Sequence, residues 1–99
     1  GRWKKMVSDD FIDSVNVIAN SMATLLIRKQ ADYGPGNINN AYGSPINGLL
    51  VRMGDKFERL KNLYSTGDTP NFEAIEDTFM DLANYAIIGI MIERNEWPK

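Results

Sequence analysis

The sequence predicts an all-α protein, a small bundle of three main helices that forms one domain over residues 1–99. Two long stretches repeat apolar residues at spacings of three and four, which is the period of an amphipathic helix. A third stretch becomes apolar on every side over residues 87–92, which is typical of a helix end covered by protein. Because three helices in 99 residues bury a thin core, we expect a homodimer or larger assembly.

The first helix is predicted to begin after Ser8, a favourable N-cap, and to run to about residue 29 or 31. Asp9 and Asp10 fall in its first turn, where the helix dipole favours negative charge. Its apolar face consists of Phe11, Val15, Ile18, Met22 and Leu25. Residues 1–7 form a short basic lead that need not be ordered.

A segment without helical period, residues 32–45, follows the first helix. It contains three Gly, two Pro and three Asn, the residues that favour turns. A plain connection is the simpler interpretation. However, loops this long in compact domains are often functional, and this one also carries two tyrosines and an isoleucine. We therefore favour a functional loop.

Two further helices are predicted at about residues 46–64 and 71–94, joined by a turn over residues 65–70. The second has an apolar face formed by Ile46, Leu49, Leu50, Met53, Phe57, Leu60 and Tyr64. The third ends before Pro98, which prevents its continuation. A connection this short predicts that the two helices pack antiparallel.

Composition excludes several classes of site. The chain has no cysteine and no histidine, so any metal would be a hard ion such as Mg²⁺ held by oxygen ligands. A net charge of −2 gives no basic field, and we expect no nucleic-acid partner. The first residues do not resemble a secretory signal, and the longest apolar run, residues 86–92, is too short for a bilayer. We expect a cytoplasmic protein with no membrane partner.

Two polar stripes face each other if the last two helices pack antiparallel. The acidic stripe on the third helix contains Glu73, Asp77, Asp81 and Asn84 and runs towards the apolar zone. The cationic stripe on the second helix contains Arg52, Lys56 and Arg59, with Asp55 among them. One interpretation is a structural network in which the cations neutralise the carboxylates. The other is a ligand site closed by the loop over residues 32–45.

The residue types in these stripes suit a nucleotide phosphate. Carboxylates at helical spacing can share Mg²⁺, and the candidate metal ligands are Asp55, Glu58, Asp77 and Asp81. Lys29, Arg52, Lys56 and Arg59 are candidates for phosphate oxygens. Tyr33, Tyr42 and Tyr85 can stack on a base. No catalytic residue can be assigned from these patterns.

Three motifs carry a resemblance to a known family. They are Lys29-x-x-Asp32-Tyr33-Gly34-x-x-Asn37, Arg52-x-x-Asp55-Lys56-x-x-Arg59-x-x-Asn62-Leu63 and Glu76-Asp77-x-x-x-Asp81-x-x-Asn84-Tyr85. The set resembles the nucleotide modification associated domain, type one, a family of small helical phage and bacterial proteins. Its name implies a link to modified phage nucleotides. With the chemistry above, we expect ligand contacts from Lys29, Asp32, Tyr33, Asn37, Arg52, Lys56, Arg59, Asn84 and Tyr85.

A more distant similarity is to the all-α NTP pyrophosphohydrolases of the MazG kind, which hold Mg²⁺ between two acidic pairs. Here Asp55 and Glu58 match the first pair, whereas Asp77 and Asp81 are four residues apart where the family has three. Three hypotheses therefore remain open. The protein is a Mg²⁺-dependent pyrophosphohydrolase, a non-catalytic binder that sequesters a host cyclic signalling nucleotide against antiviral defence, or a structural interaction module.

Overall fold

The computed structural model describes residues 6–40, 42–43, 45–65 and 71–98. Within these ranges the chain forms four helices and no strand, and the all-α prediction is confirmed. The helices are α1 (Asp9–Tyr33), α2 (Gly36–Asn39), α3 (Ile46–Ser65) and α4 (Phe72–Glu93). The predicted N-cap is present, since the Ser8 hydroxyl accepts a hydrogen bond from the Phe11 backbone N–H at 3.2 Å.

The segment predicted as an irregular loop is partly helical. Helix α1 continues to Tyr33, and Gly34 then ends it with φ of 66°, a left-handed conformation that favours glycine. Its N–H donates to the Gln30 carbonyl at 2.8 Å. The four-residue helix α2 follows and buries Ile38, which is 1% exposed. A single turn is too short to produce a periodic apolar pattern, so the sequence could not predict it.

Helices α3 and α4 pack antiparallel, as predicted. Leu49 near the start of α3 contacts Gly89 near the end of α4, and Lys56 pairs with Asp81 further along. A Cβ at Gly89 would lie 3.3 Å from the Leu49 side chain, so glycine allows this close approach. The core cluster consists of Ile38, Leu49 and Ile88, and the half-buried side chains Leu26, Met53, Tyr85, Ile92 and Trp97 pack against it.

The C-terminal tail folds back onto α2 through the side chain of Asn39. Trp97 donates from Nε1 to Asn39 Oδ1 at 2.9 Å, and Asn39 Nδ2 donates to the Pro98 carbonyl at 2.8 Å. Asn95, with φ of 59°, turns the chain after α4. These two bonds hold the Trp97 indole beside the core.

Two predicted segments lie wholly or mostly outside the described residues. They are the turn after α3, of which residues 66–70 are not described, and the basic lead, of which residues 1–5 are not described. In the described part of the chain, no helix has both the length and the apolar character needed to cross a membrane.

Large apolar side chains remain exposed on the N-terminal half of α1. No residue of α1 is fully buried, and Phe11 and Ile18 are 60% and 52% exposed. Ile90 is 55% exposed, so the chain itself does not cover residues 87–92 on every side. The radius of gyration is 16.0 Å, compared with about 13 Å for a compact domain of this size. Exposed apolar surface of this kind is typical of an interaction surface, and oligomerisation stays a prediction.

We expect the protein to be a dimer or larger at micromolar concentration, assembled through the apolar face of α1. Ile18→Lys places a charge in that face and is expected to shift the mass towards the monomer. The matched control is Asn20→Lys, which adds the same charge about 200° away around the helix. Light scattering after size exclusion measures the mass. A monomeric wild-type protein, or an equal loss of assembly in both variants, would contradict this expectation.

Candidate functional site

A cavity of about 400 Å³ lies where α1, α2, α3, α4 and the tail meet. Its volume falls within the usual range for small-molecule sites, roughly 300–1,000 Å³. Apolar side chains from three helices line it, namely Leu26, Ile38 and Ile88. Three aromatic rings also line it: Tyr33, Tyr85 and Trp97. The polar side chains of the lining are Lys29, Gln30, Asn37, Arg52, Asp81 and Asn84.

Asn84 is the unusual residue of this cavity. It is 5% exposed, and neither its Oδ1 nor its Nδ2 has a hydrogen-bond partner among the described residues. The other buried polar residue of α4, Thr78, is satisfied because its hydroxyl donates to the Ala74 carbonyl at 2.6 Å. An unsatisfied buried polar group costs about 1–3 kcal/mol. The fold therefore keeps a costly amide beside a cavity that can hold a ligand.

One carboxylate, that of Asp81, links three helices. Lys29 of α1 lies 2.8 Å from its Oδ1, and Lys56 of α3 lies 3.0 Å from its Oδ2. The sequence predicted a cationic partner for the acidic stripe, and Lys56 is one. Arg52 and Arg59, predicted with it, make no ion pair within the described residues, and the second cation comes from α1. Asp81 thus fixes the end of α1 against the α3–α4 pair.

The pKa values of Asp81 and Lys29 are shifted by their contacts with each other and with Lys56. Burial raises the pKa of Asp81, but the hydrogen bonds from Lys29 and Lys56 outweigh burial, and the pKa lies below the usual 3.8. The hydrogen bond to Asp81 raises the pKa of Lys29 above 10.5, although burial opposes it. A lowered carboxyl pKa stabilises the fold above the unfolded value, and a raised ammonium pKa stabilises it below the unfolded value. The pair is therefore fully stabilising between about pH 4 and pH 10.5.

Replacing Asp81 by asparagine is expected to lower the free energy of unfolding by about 1–2 kcal/mol at pH 7, because two lysines lose their shared carboxylate. The deficit should begin to shrink as the pH falls below about 4, because the unfolded carboxyl takes up a proton there first, and should vanish only below the lowered pKa of folded Asp81. It should also shrink as the pH rises above about 10.5. Urea denaturation across this pH range measures it. Glu58→Gln is the control, since its exposed pair with Lys61 should contribute less than about 0.5 kcal/mol. A pH-independent deficit for Asp81→Asn would contradict the assignment.

A second, more open groove shares Asp81 with the cavity. Lys56, Arg59, Asn71, Glu73 and Asp77 also line it. Three of the lining side chains are carboxylates, yet no group of three or more metal-ligating side chains in the described ranges is arranged to hold an ion. Both oxygens of Asp81 already contact ammonium groups. Magnesium binding at this groove therefore stays a prediction.

The structure brings most of the predicted ligand residues together. Six of the nine line the cavity: Lys29, Tyr33, Asn37, Arg52, Asn84 and Tyr85. Lys56 and Arg59 line the neighbouring groove, whereas the exposed Asp32 lines neither. Of the predicted metal ligands, Asp77 and Asp81 meet in the groove, whereas Asp55 and Glu58 are exposed on α3 and do not line it.

Trp97 is the lining residue that sequence reasoning missed most clearly. It follows the last helix in a tail that is otherwise polar or contains proline, and such tails are commonly unordered. A large aromatic residue in that setting was the available signal, because it gains most from packing onto a core. Ile38 was missed for the same reason as α2.

The family comparison covers most of the residues that line the cavity. The sequence profile of nucleotide modification associated domain 1 matches residues 29–92, more than half of the chain. The protein belongs to this family. The matched range includes all the lining residues except Leu26 and Trp97. No comparison shows the predicted similarity to the MazG kind of pyrophosphohydrolase. No curated protein and no solved structure matches the chain.

Proposed function

We propose that the protein binds a nucleotide, or a small molecule derived from one, in the cavity between α1, α2, α3, α4 and the tail. The observation that supports this most is that two cations, three aromatic rings and an unsatisfied amide line one half-open cavity of ligand size. Phosphate, base and base edge each have a suitable partner among these groups. Membership of the nucleotide modification family supports the same ligand class.

Arg52 is the first candidate for the phosphate. It is exposed at the cavity and makes no ion pair within the described residues, so its guanidinium can form two parallel hydrogen bonds to phosphate oxygens. Lys29 is the second candidate. Its ammonium carries three N–H donors, of which the Asp81 carboxylate engages one, so it can contact a phosphate without leaving Asp81.

The aromatic rings supply surfaces for a base or sugar. The Trp97 indole is held by its bond to Asn39, and Tyr85 packs against the core, so neither ring has to be ordered when a ligand binds. Tyr33 is 74% exposed and also lines the cavity. Base–aromatic stacking contributes about 1–3 kcal/mol and tolerates different bases.

The geometry favours binding without turnover. Asp81 is the one carboxylate that lines the cavity among the described residues, and its two oxygens contact lysine ammonium groups. The two ammonium groups lower the pKa of Asp81, which makes it a poor general base, and they compete with Mg²⁺ for its oxygens. We therefore favour a binder over a pyrophosphohydrolase. Cyclic signalling nucleotides, whose sequestration would counter antiviral defence, belong to the ligand class that such a binder would take.

The test is native mass spectrometry of freshly purified protein, followed by incubation with a panel of nucleotides, including cyclic ones. We expect a nucleotide to be bound and released unchanged, with binding that persists when EDTA removes divalent metal. Release of pyrophosphate from an NTP with Mg²⁺ would instead establish the enzyme. Failure of the folded protein to bind any member of the panel would overturn the proposal.

A further inference from the structure

We infer that the Asn84 amide recognises the hydrogen-bonding edge of the nucleobase, where it pairs with a donor and an acceptor that lie side by side. This inference rests on the proposed function and adds the orientation of the ligand. The base lies inward against Asn84, and the phosphate lies outward at Arg52 and Lys29.

Asn84 differs from the polar groups around it. Asn39, which is also close to the core, uses both of its amide atoms, with Oδ1 accepting from Trp97 and Nδ2 donating to Pro98. The Thr78 hydroxyl is satisfied by the backbone of its own helix. Asn84 lies in the same helix as Thr78 and is almost as buried, yet both of its amide atoms lack partners within the described ranges. Asn84 lines the cavity, but both amide atoms are almost inaccessible in this conformation. The side chain therefore has to turn towards the cavity for a ligand to provide the missing partners.

The shape of an amide restricts which part of a nucleotide can satisfy it. An asparagine side chain presents an acceptor oxygen and a donor nitrogen side by side in one plane, and the edge of a base presents the complementary pair. A phosphate only accepts hydrogen bonds, so it would leave the amide oxygen unpaired. A base edge therefore satisfies Asn84 more completely than a phosphate can.

The side chains around Asn84 favour the same orientation of the bound nucleotide. The buried side chains that line the cavity with it, Ile38 and Ile88, are apolar and suit the flat face of a base. A phosphate placed there would lose its hydration without gaining a cation. The two cations belong to residues that are more exposed, Lys29 and Arg52. The cavity is thus apolar around the amide and positively charged at the exposed side.

The test uses Asn84→Leu, a substitution of similar size that removes both polar atoms. Calorimetry measures the affinity of the wild type and the variant for the four common nucleoside monophosphates and for ribose 5-phosphate, which has no base. We expect at least a tenfold loss for the preferred nucleotide and no loss for ribose 5-phosphate. The melting temperature without ligand should stay equal or rise, because an unsatisfied buried amide is removed. Asn20→Leu, at an exposed position of α1, is the control and should bind like the wild type.

Two further measurements use the nucleotide that the wild type binds most tightly. The first compares it with an analogue that lacks the hydrogen-bonding group at the recognised edge. The wild type should bind this analogue at least tenfold more weakly than the nucleotide, whereas Asn84→Leu should bind the two equally. Asn84→Asp removes the donor and is expected to change which base is preferred.

The possible results separate failure of this inference from failure of the proposed function. If the wild type binds nucleotides but Asn84→Leu keeps the same affinity and base preference, this inference is overturned while the proposed function stands. An equal loss for ribose 5-phosphate, or a lower melting temperature of Asn84→Leu, would assign Asn84 to the sugar, the phosphate or the fold instead. If the wild type binds no nucleotide, the proposed function fails and the inference fails with it.

Discussion

Replacing Trp97 by alanine is expected to lower the free energy of unfolding by about 2–3 kcal/mol, the largest effect on stability that we predict. The indole packs against the cluster of Ile38, Leu49 and Ile88, and its N–H binds Asn39. The same substitution removes one wall of the cavity, so nucleotide affinity should fall as well. Urea denaturation followed by circular dichroism measures the stability.

Trp97→Phe is the matched control for this prediction. It keeps an aromatic ring against the core and loses the hydrogen bond, so about 1 kcal/mol is expected. If Trp97→Ala unfolds within about 0.5 kcal/mol of the wild type, the tail does not pack as described, and one wall of the proposed site is absent.

Replacing Arg52 by glutamine is expected to weaken nucleotide binding by roughly 10- to 100-fold, which corresponds to the loss of a charged hydrogen bond. The fold should be unaffected, because Arg52 is exposed and makes no ion pair within the described residues. Arg52→Lys should give an intermediate affinity, since an ammonium keeps the charge but cannot form the two parallel bonds of a guanidinium. Calorimetry with a nucleoside monophosphate measures the affinity of both variants.

Arg28→Gln removes the same charge from an exposed position of α1 that does not line the cavity, and it serves as the control. It should reduce affinity less than threefold, through the general loss of positive charge alone. Equal losses in Arg28→Gln and Arg52→Gln would mean that Arg52 acts only through net charge.

The sequence predicted the three long helices well because each carries many turns of periodic apolar residues and recognisable caps. The Ser8 cap and the start of α3 at Ile46 agree with the structure. The acidic stripe also has the predicted gradient, from the exposed Glu73 to the buried Asn84. That gradient was visible because a polar residue among apolar neighbours on one helix is a local feature of the sequence.

Other features depend on contacts between distant parts of the chain. The partner of Asp81 on α1 is Lys29, 52 residues away, and helical periodicity does not specify which of several lysines and arginines reaches a given carboxylate. The apolar face with Phe11 and Ile18 was predicted, but its exposure was not, because an apolar stripe has the same pattern whether it faces its own chain or another surface.

The central claim is that a nucleotide binds in the cavity beside Trp97 and Asn84. The most direct measurement is a nuclear magnetic resonance titration of ¹⁵N-labelled protein with a nucleoside monophosphate, with the Trp97 indole signal assigned from Trp97→Phe. We predict that the Trp97 indole N–H and the Asn84 side-chain amide shift together and saturate at the same nucleotide concentration. Saturable binding that leaves both signals in place would contradict the account.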